Sequence, residues 1–249
     1  MMENPLVSII TPCYNSESFI ADTIKSVQNQ SYENWEMLIT DDGSTDSSIK
    51  IIEKFATEDT RIKLFKISNA GAAVARNHSI EQAKGTYIAF LDSDDIWLPK
   101  KLEKQINFME TNNYILSFTS YQRMNEEGIL INEVVKAHAK LNYKNMLYSN
   151  KIGCLTAMYN QEKLGKIYMP LIRKRQDYAL WLSILKKVDF AYGLDEVLAT
   201  YRLRNFSMSA KKTEMIKWNW KLYREIERKS IVEATYYVLS NICIKLKNR

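Results

Sequence analysis

The stretch GTYIAFLDSDD, residues 85–95, decides how the chain is read. Thr86 to Leu91 is nearly all apolar, and the run passes directly into Asp92, Asp94 and Asp95. A strand of that kind suits a sheet covered on both faces, where no alternation of polar residues is needed. Working outward, Leu6–Thr11 is a β-branched run that stops at Pro12, and Trp35–Thr40 and Ile62–Ile67 are further strand candidates. Between them the apolar residues fall at helical spacing: Phe19, Ile20, Ile24 and Val27, with Ser16 or Ser18 as N-cap, then Ile49, Ile52 and Phe55. Gly71 to Ala83 reads as a third helix, with Gly85 behind it as its stop. Strands alternating with helices predict an α/β chain with a mostly parallel sheet.

In such sheets ligands bind beyond the carboxyl ends of the strands. That rule selects Pro12–Asn15, Asp41–Gly43 and Asp92–Asp95. Five carboxylates near one edge (Asp41, Asp42, Asp92, Asp94, Asp95) repel one another unless a cation compensates. A hard divalent ion, Mg²⁺ or Mn²⁺, does so with oxygen ligands shared with substrate phosphates. Asp41 and Asp46 have a second reading as a turn-former and a helix cap. The Asp92–Asp95 group does not, because capping needs one carboxylate.

The 249 residues carry 35 Lys+Arg against 29 Asp+Glu, a net +6, with 46% hydrophobic and 26% charged residues. That balance excludes disorder and fibrous repeats. The charge is uneven: from Arg202 onward it is +8, and residues 1–201 carry −2. The basic tail invites an anionic membrane, an acidic partner or nucleic acid. Cys13, Cys154 and Cys243 form no zinc or disulfide pattern, so a reducing, cytoplasmic setting is expected. Neither a signal peptide nor a membrane-spanning run is read from the sequence; Ile231–Leu246, the longest apolar stretch, is broken by Glu233, Asn241 and Lys245.

Past residue 105 the alternation fades. Leu116–Tyr121 and Ile129–Val135 are expected strands joined at Asn125–Gly128, and Cys154–Tyr159 another. A helix begins near Tyr178, and Lys136–Asn150 is a candidate acceptor loop. Met215, Trp218, Leu222 and Ile226 have helical spacing, followed by the apolar stretch and a basic end.

Taken in order, VSIITPCYN (7–15), ITDDGSTDSS (39–48), NAGAAVARNHSI (69–80) and GTYIAFLDSDDIWLPKKLE (85–103) resemble the family 2 glycosyltransferases of the GT-A fold. The resemblance implies a Rossmann-like, mixed and mostly parallel sheet flanked by helices, with a C-terminal helical extension. It divides the chain into a catalytic domain, 1–205, with a donor half (1–105) and an acceptor half (106–205), and basic amphipathic helices over 206–249. It assigns nucleotide-sugar binding to Pro12, Tyr14, Asn15, Asp41, Asp42, Arg76, Asp92, Ser93 and Asp94, with Asp42 accepting from a ring N–H of the base. Asp94 is the implied metal ligand, with Asp92 nearer the ribose or a metal-bound water. The acidic pair expected before a Trp-bearing helix is Gln176-Asp177 here, so the first acid is replaced; Asp177 is the implied catalytic base of an inverting transfer. Tyr201–Ser207 resembles the family's YR…S segment, which gives Arg202 or Arg204 the leaving diphosphate. Arg173-Lys174-Arg175 is read as a contact for the diphosphate of a lipid-linked acceptor or as a solvated charge run. Tyr178 and Trp181 are expected to divide between core packing and a sugar platform, with Trp181 in the core.

The resulting expectation is a metal-dependent transferase moving one sugar from a UDP-linked donor to a glycan or lipid-linked acceptor in bacterial surface polysaccharide synthesis. Expected partners are the donor, the acceptor and the inner face of the cytoplasmic membrane through the basic helices, not nucleic acid; a homodimer is left open. The alternatives are a sugar nucleotidyltransferase, which wants a Gly-rich first loop that Pro12–Asn15 lacks, and a non-catalytic nucleotide-sugar-binding module. The processive synthases' QxxRW signature is absent, which favours single additions.

Overall fold

The computed structural model describes residues 4–204 and 212–247. Its period-two pattern sorts the apolar residues of the strands onto two cores. In β1 (Val7–Cys13), Val7 and Ile9 enter one core and Ile10 the other. The same alternation splits Met37 and Ile39 from Leu38 in β2 (Trp35–Asp41). With β3 (Ile62–Lys66) and β4 (Tyr87–Phe90), these strands form the parallel block β3-β2-β1-β4. Helices α1 (Ile20–Gln28) and α2 (Ser48–Glu58) cover one face of the block, and α3 (Ala72–Gln82) covers the other. Because β1 connects outward to β2 while β4 lies on its other side, the strand order reverses at β1 and opens a crevice there.

The remaining strands are β5 (Ile96–Trp97), β6 (Leu116–Met124), β7 (Leu130–Val135), β8 (Lys140–Leu141), β9 (Met158–Asn160) and β10 (Ala191–Arg202). The sheet continues from β4 through β9, β6 and β10 to β5, with β7 added on β6 and β8 on β10. β9 is antiparallel to both of its neighbours, whereas β6 and β10 run parallel. Most of the paired length is therefore parallel, in a mixed sheet. Helix α4 (Lys101–Asn112) joins the face of α1 through Leu102, Ile106 and Met109.

The opposite face receives α5 (Tyr143–Tyr148), α7 (Gln176–Leu185) and α9 (Ile231–Lys247); the short α6 (Gln161–Leu164) follows β9. Helix α7 is buried nearly all round, from Tyr178 to Leu182, as an apolar helix under a further layer should be. That layer is α8 (Lys212–Lys221), a π-helical turn at Leu222–Ile226, and α9. Ala234, Val238 and Asn241 form the docked face of α9, and Asn241 donates to the Tyr148 carbonyl at 3.3 Å.

Four expectations need correction. β1 does not stop at Pro12 but runs to Cys13. The β4 ladder on that side ends at Ile10↔Phe90, so the missing proline N–H leaves no bond unmade. Ser16 caps nothing, since α1 begins behind Phe19 without a side-chain cap. Cys154–Thr156 is a 3₁₀ turn, and only Met158–Asn160 pairs as a strand. Finally, β10 is the longest strand and had no expected counterpart. Of the segment Tyr201–Ser207, residues 205–207 lie outside the described part of the chain.

Candidate active site

The three loops chosen by the strand-end rule meet at the carboxyl edge and are tied to one another. Asn15, in left-handed backbone at φ +46°, donates its N–H to Ser44 Oγ at 2.9 Å and accepts from Thr45 N–H through Oδ1 at 2.9 Å. Ser16 and Ser93 share a hydroxyl hydrogen bond of 2.8 Å, which links the β1 loop to the Asp92–Asp95 loop. Pro12 is buried under this junction, and the Tyr14 side chain stands half exposed above it.

Asp41 and Asp42 do different work. Asp41 is fully buried, and its Oδ2 accepts from Gly43 N–H at 3.1 Å and Ser44 N–H at 2.9 Å. It therefore builds the turn, as its second reading proposed, while Oδ1 has no partner. Gly43 at φ +76° suits that turn, where a side chain would be strained. Asp42 spans to the next loop, taking Ala70 N–H at 2.7 Å and Gly71 N–H at 2.8 Å on its two oxygens. A carboxylate offers about four lone-pair directions, so the second pair on each oxygen remains for a ligand.

In the acidic loop each carboxylate meets a different arginine, two through the guanidinium and one through the backbone. Asp92 pairs with the buried Arg76 at 2.5 Å. Asp94 pairs with Arg204 at 3.3 Å. Asp95 is buried and accepts the Arg202 backbone N–H at 2.9 Å. Burial, followed by the charge of Asp92, pushes the Asp94 carboxyl above its usual range against the pull of Arg204. Burial, then Asp94 and Asp92, raises Asp95 well above it. Among the described residues no group of three or more His, Cys, Asp or Glu side chains is arranged to enclose a metal. Mg²⁺-type sites need only one or two carboxylates plus substrate phosphates, and the partly exposed Asp92 and Asp94 fit that donor set.

Arg202 and Arg204 diverge. Arg202 is buried, with Nε on the Asp94 carbonyl at 2.9 Å and Nη1 on the Glu126 carbonyl at 2.9 Å, so it clamps the loop. Arg204 is the more exposed of the two, facing the Asp94 carboxylate, and both guanidinium groups lie 4.9 Å from the Phe19 ring centroid.

Beside this edge is a cavity of about 320 Å³ whose walls include Arg76, Asp92, Asp95, Gln176 and Asp177. Arg76 joins its two sides, donating to Asp92 from Nη2 and to Gln176 Oε1 from Nη1 at 2.8 Å. Burial opposes the charge of Arg76, but Asp92 outweighs it and holds the guanidinium above its ordinary value. Gln176, standing where the resemblance expects an acid, uses its amide to accept from Arg76 and to donate to the Ile172 carbonyl at 2.8 Å. Asp177 lies in the first turn of α7, where the helix dipole favours a carboxylate, and accepts from Asn150 Nδ2 at 3.0 Å. Lys151 and Tyr121 carry no sequence expectation as site residues; the end of the expected acceptor loop pointed at Asn150, and the YR…S segment begins with Tyr201. Tyr178 is no sugar platform, because it is buried and its hydroxyl reaches the Met146 carbonyl and Tyr223. Trp181 is in the core as expected, edge-on to Phe90 at 5.5 Å.

Residues 8–166 match the family described as Glycosyl transferase family 2. TuaG of Bacillus subtilis (strain 168), a glycosyltransferase named for teichuronic acid biosynthesis, is 48% identical over 233 residues, which is 93% of this chain and 92% of TuaG. WfgD of Escherichia coli, named UDP-Glc:alpha-D-GlcNAc-diphosphoundecaprenol beta-1,3-glucosyltransferase, is 39% identical over 249 residues, 99% of this chain and 96% of WfgD. The crystal structure of S. aureus TarS 1–349 in complex with UDP-GlcNAc superposes with a TM-score of 0.74 at 20% identity, covering 95% of this chain and 71% of that one. At that identity the likeness concerns the fold, a mixed sheet of the GT-A type with a C-terminal helical extension. By the family match and by these relatives, the chain belongs to glycosyl transferase family 2 and is a transferase enzyme.

Proposed function

We propose that this enzyme transfers one sugar, with inversion, from a UDP-linked donor to a lipid-linked saccharide acceptor during bacterial surface polysaccharide assembly. The observation that carries the reading is the cavity in which Asp92, at the end of β4, and Asp177, at the start of α7, share one space. Residues 1–105 serve as the donor half, 106–205 as the acceptor half and 206–249 as the helical extension. The donor's base lies between the Pro12–Asn15 loop and Asp42, whose free lone pairs accept a ring N–H. Asp177 accepts the proton of the attacking hydroxyl, and Asn150 keeps its carboxylate aimed. Asp94, with Asp92 beside it, holds a divalent cation, Mn²⁺ or Mg²⁺, which supplies Lewis-acid stabilisation of charge on the leaving diphosphate. Arg204 adds a positive group at the same side.

The names of the relatives support the substrate classes, since WfgD takes UDP-Glc and a diphosphoundecaprenol-linked acceptor. Incubation with a panel of UDP-sugars, Mn²⁺ and lipid-linked acceptors tests the proposal. A product with the anomeric configuration opposite to the donor's is expected. Retention, or pyrophosphate release from a nucleoside triphosphate instead of transfer, would overturn it.

The C-terminal helices supply the location. Opposite its docked face, α9 exposes Val232, Tyr236, Leu239 and Leu246 at helical spacing. No helix among the described residues is long and apolar enough to cross a membrane. A stripe of this kind in a segment of net +8 suits an anionic bilayer surface, with the enzyme peripheral at the cytoplasmic face. Co-sedimentation with phosphatidylglycerol vesicles, but not phosphatidylcholine vesicles, is the expected result; a dimer in gel filtration without vesicle binding would reassign the stripe to a second copy.

A further inference from the structure

The cavity that holds Asp177 contains more cations than its own acids use. Arg76 is committed to Asp92 and Gln176, and Lys174 to Glu214 at 2.6 Å. Among the described residues, Lys151 and Arg173 make no hydrogen bond or ion pair through their side chains. Arg175 holds left-handed backbone at φ +69°, and its Nε and Nη2 are enclosed without an acceptor. Enclosed donors without partners are costly, so a turn of the Arg175 side chain toward an anion in the adjoining cavity would relieve that cost.

Exposure gives the cavity a direction. Arg76, Asp95 and Gln176 are buried, Lys151, Arg175 and Asp177 are half-buried, and Arg173 is exposed. The unspent cations therefore lie on the solvent side of the Asp92–Arg76 pair. The donor anchors at Pro12–Asn15, Asp42 and Asp94–Arg204 do not line this space. Of the donor residues only Arg76 and Asp92 line it, and they are paired with one another, so an anion on Lys151 and Arg173 would sit beside the donor's diphosphate on cations that the donor's own anchors leave unused. Arginine forks and a lysine point charge together suit phosphate oxygens.

We propose that Lys151, Arg173 and Arg175 form an acceptor-side anion site that takes the diphosphate joining the acceptor sugar to its lipid carrier, and so aims that sugar's hydroxyl at Asp177. This deepens the transferase reading and rests on it. The salt bridge from Lys174 to Glu214 of α8 ties the Arg173–Arg175 loop to the C-terminal helices, and Met215 of α8 lines the same cavity. A carrier lipid leaving the site would pass beside the helices that expose the apolar stripe.

The test is calorimetric titration of geranyl diphosphate, with geraniol as the uncharged control, into the full chain saturated with UDP and Mg²⁺. Binding of geranyl diphosphate alone is expected. Arg173→Gln and Lys151→Gln should each weaken it by about tenfold or more, as loss of a charge-assisted contact does. Lys174→Gln should change it by less than about twofold, its ammonium being already paired, and UDP affinity should stay within about twofold throughout. Arg175→Lys keeps the charge but loses the fork, and should weaken binding with an unchanged thermal midpoint. Displacement of UDP by geranyl diphosphate, equal binding of geraniol, or wild-type affinity in Arg173→Gln and Lys151→Gln would overturn the site. If UDP fails to bind the wild type, the donor reading falls by itself, and the geranyl diphosphate isotherms still decide this one.

Discussion

The two ends of the parallel block place acids in opposite circumstances. At the amino end, Glu36 of β2 is buried and accepts from Ser8 Oγ at 2.7 Å, Lys63 Nζ at 2.7 Å and Lys84 N–H at 2.8 Å. Burial opposes its ionisation, but those three donors prevail and hold the carboxyl below its usual range. The chain is tight there too: a Cβ on Gly85 would stand 2.6 Å from the Leu6 carbonyl oxygen. At the carboxyl end, burial pushes both Asp94 and Asp95 upward, helped by the charge of Asp92 at Asp94 and by those of Asp94 and Asp92 at Asp95. The same carboxylate group thus acts as a staple at the first end and as an incomplete site at the second. The difference lies in the number of protein donors aimed at each carboxylate. Where the chain supplies enough, the acid stabilises the fold; where it supplies too few, a ligand has bonds left to make.

The contrast can be broken from either end. The largest effect is expected for Asp177→Asn, which keeps the shape and the contact with Asn150 but removes the base. Turnover should fall by about 10²–10⁴-fold, with donor affinity and thermal midpoint unchanged, as read by steady-state kinetics and donor titration. Asp94→Ala should lower kcat/KM by roughly 10²–10³-fold, the scale of several kcal/mol of charge stabilisation, and raise the Mn²⁺ concentration needed for half activity. Normal turnover in either variant would remove that residue from its role.

Glu36→Gln probes the other end. The folded-state pKa of Glu36 lies below that of the unfolded chain. Its stabilisation is therefore complete above the unfolded value, near 4.5, and is lost as pH falls through the folded value. Urea unfolding at pH 7 should show a loss of about 1–2 kcal/mol, closing as the pH drops below that window, with kcat per folded molecule retained. A gap that persists in acid would mean that packing, not charge, sets the cost. Gln176→Glu should have the smallest effect. It places a second carboxylate on Arg76, and turnover within about tenfold of wild type is expected, because the bond to Arg76 is kept. A greater loss would show that the neutral amide is needed there.

The comparison also explains what could be read from the sequence. β1, β2 and β4 were legible because each is an apolar-rich run ending in polar residues, and two-sided burial leaves that signature. The acidic loop was legible for the same reason, lying directly after β4. β3, at the sheet edge, is only partly buried and was legible by its alternation. β10 was not, since Gly193 and Asp195-Glu196 interrupt its pattern and its pairing with β6 shifts register between Leu194 and Ala199. Gly193 is required there because a Cβ would meet the His138 carbonyl oxygen at 2.1 Å. β9 is only three residues long and is held by neighbours from distant parts of the chain. The contact from Asn150 to Asp177 spans 27 positions and leaves no local spacing to detect. Tyr178 and Trp181 are expected to divide between the core and a sugar platform, yet both lie in the core, and the Tyr178 hydroxyl finds its partners there. The interior of residues 1–105 is written in short-range patterns; the wall around Asp177 is written in pairings that only the folded chain makes.

The central claim is that the carboxyl edge performs the transfer and the amino edge only holds the sheet. The most direct measurement sets Asp177→Asn and Glu36→Gln side by side, each assayed for UDP-sugar turnover and for its urea midpoint at pH 7. The account predicts a double separation: Asp177→Asn loses turnover and keeps its midpoint, while Glu36→Gln keeps turnover and loses part of its midpoint. Full turnover by Asp177→Asn, or a matched loss of both quantities in both variants, would contradict it.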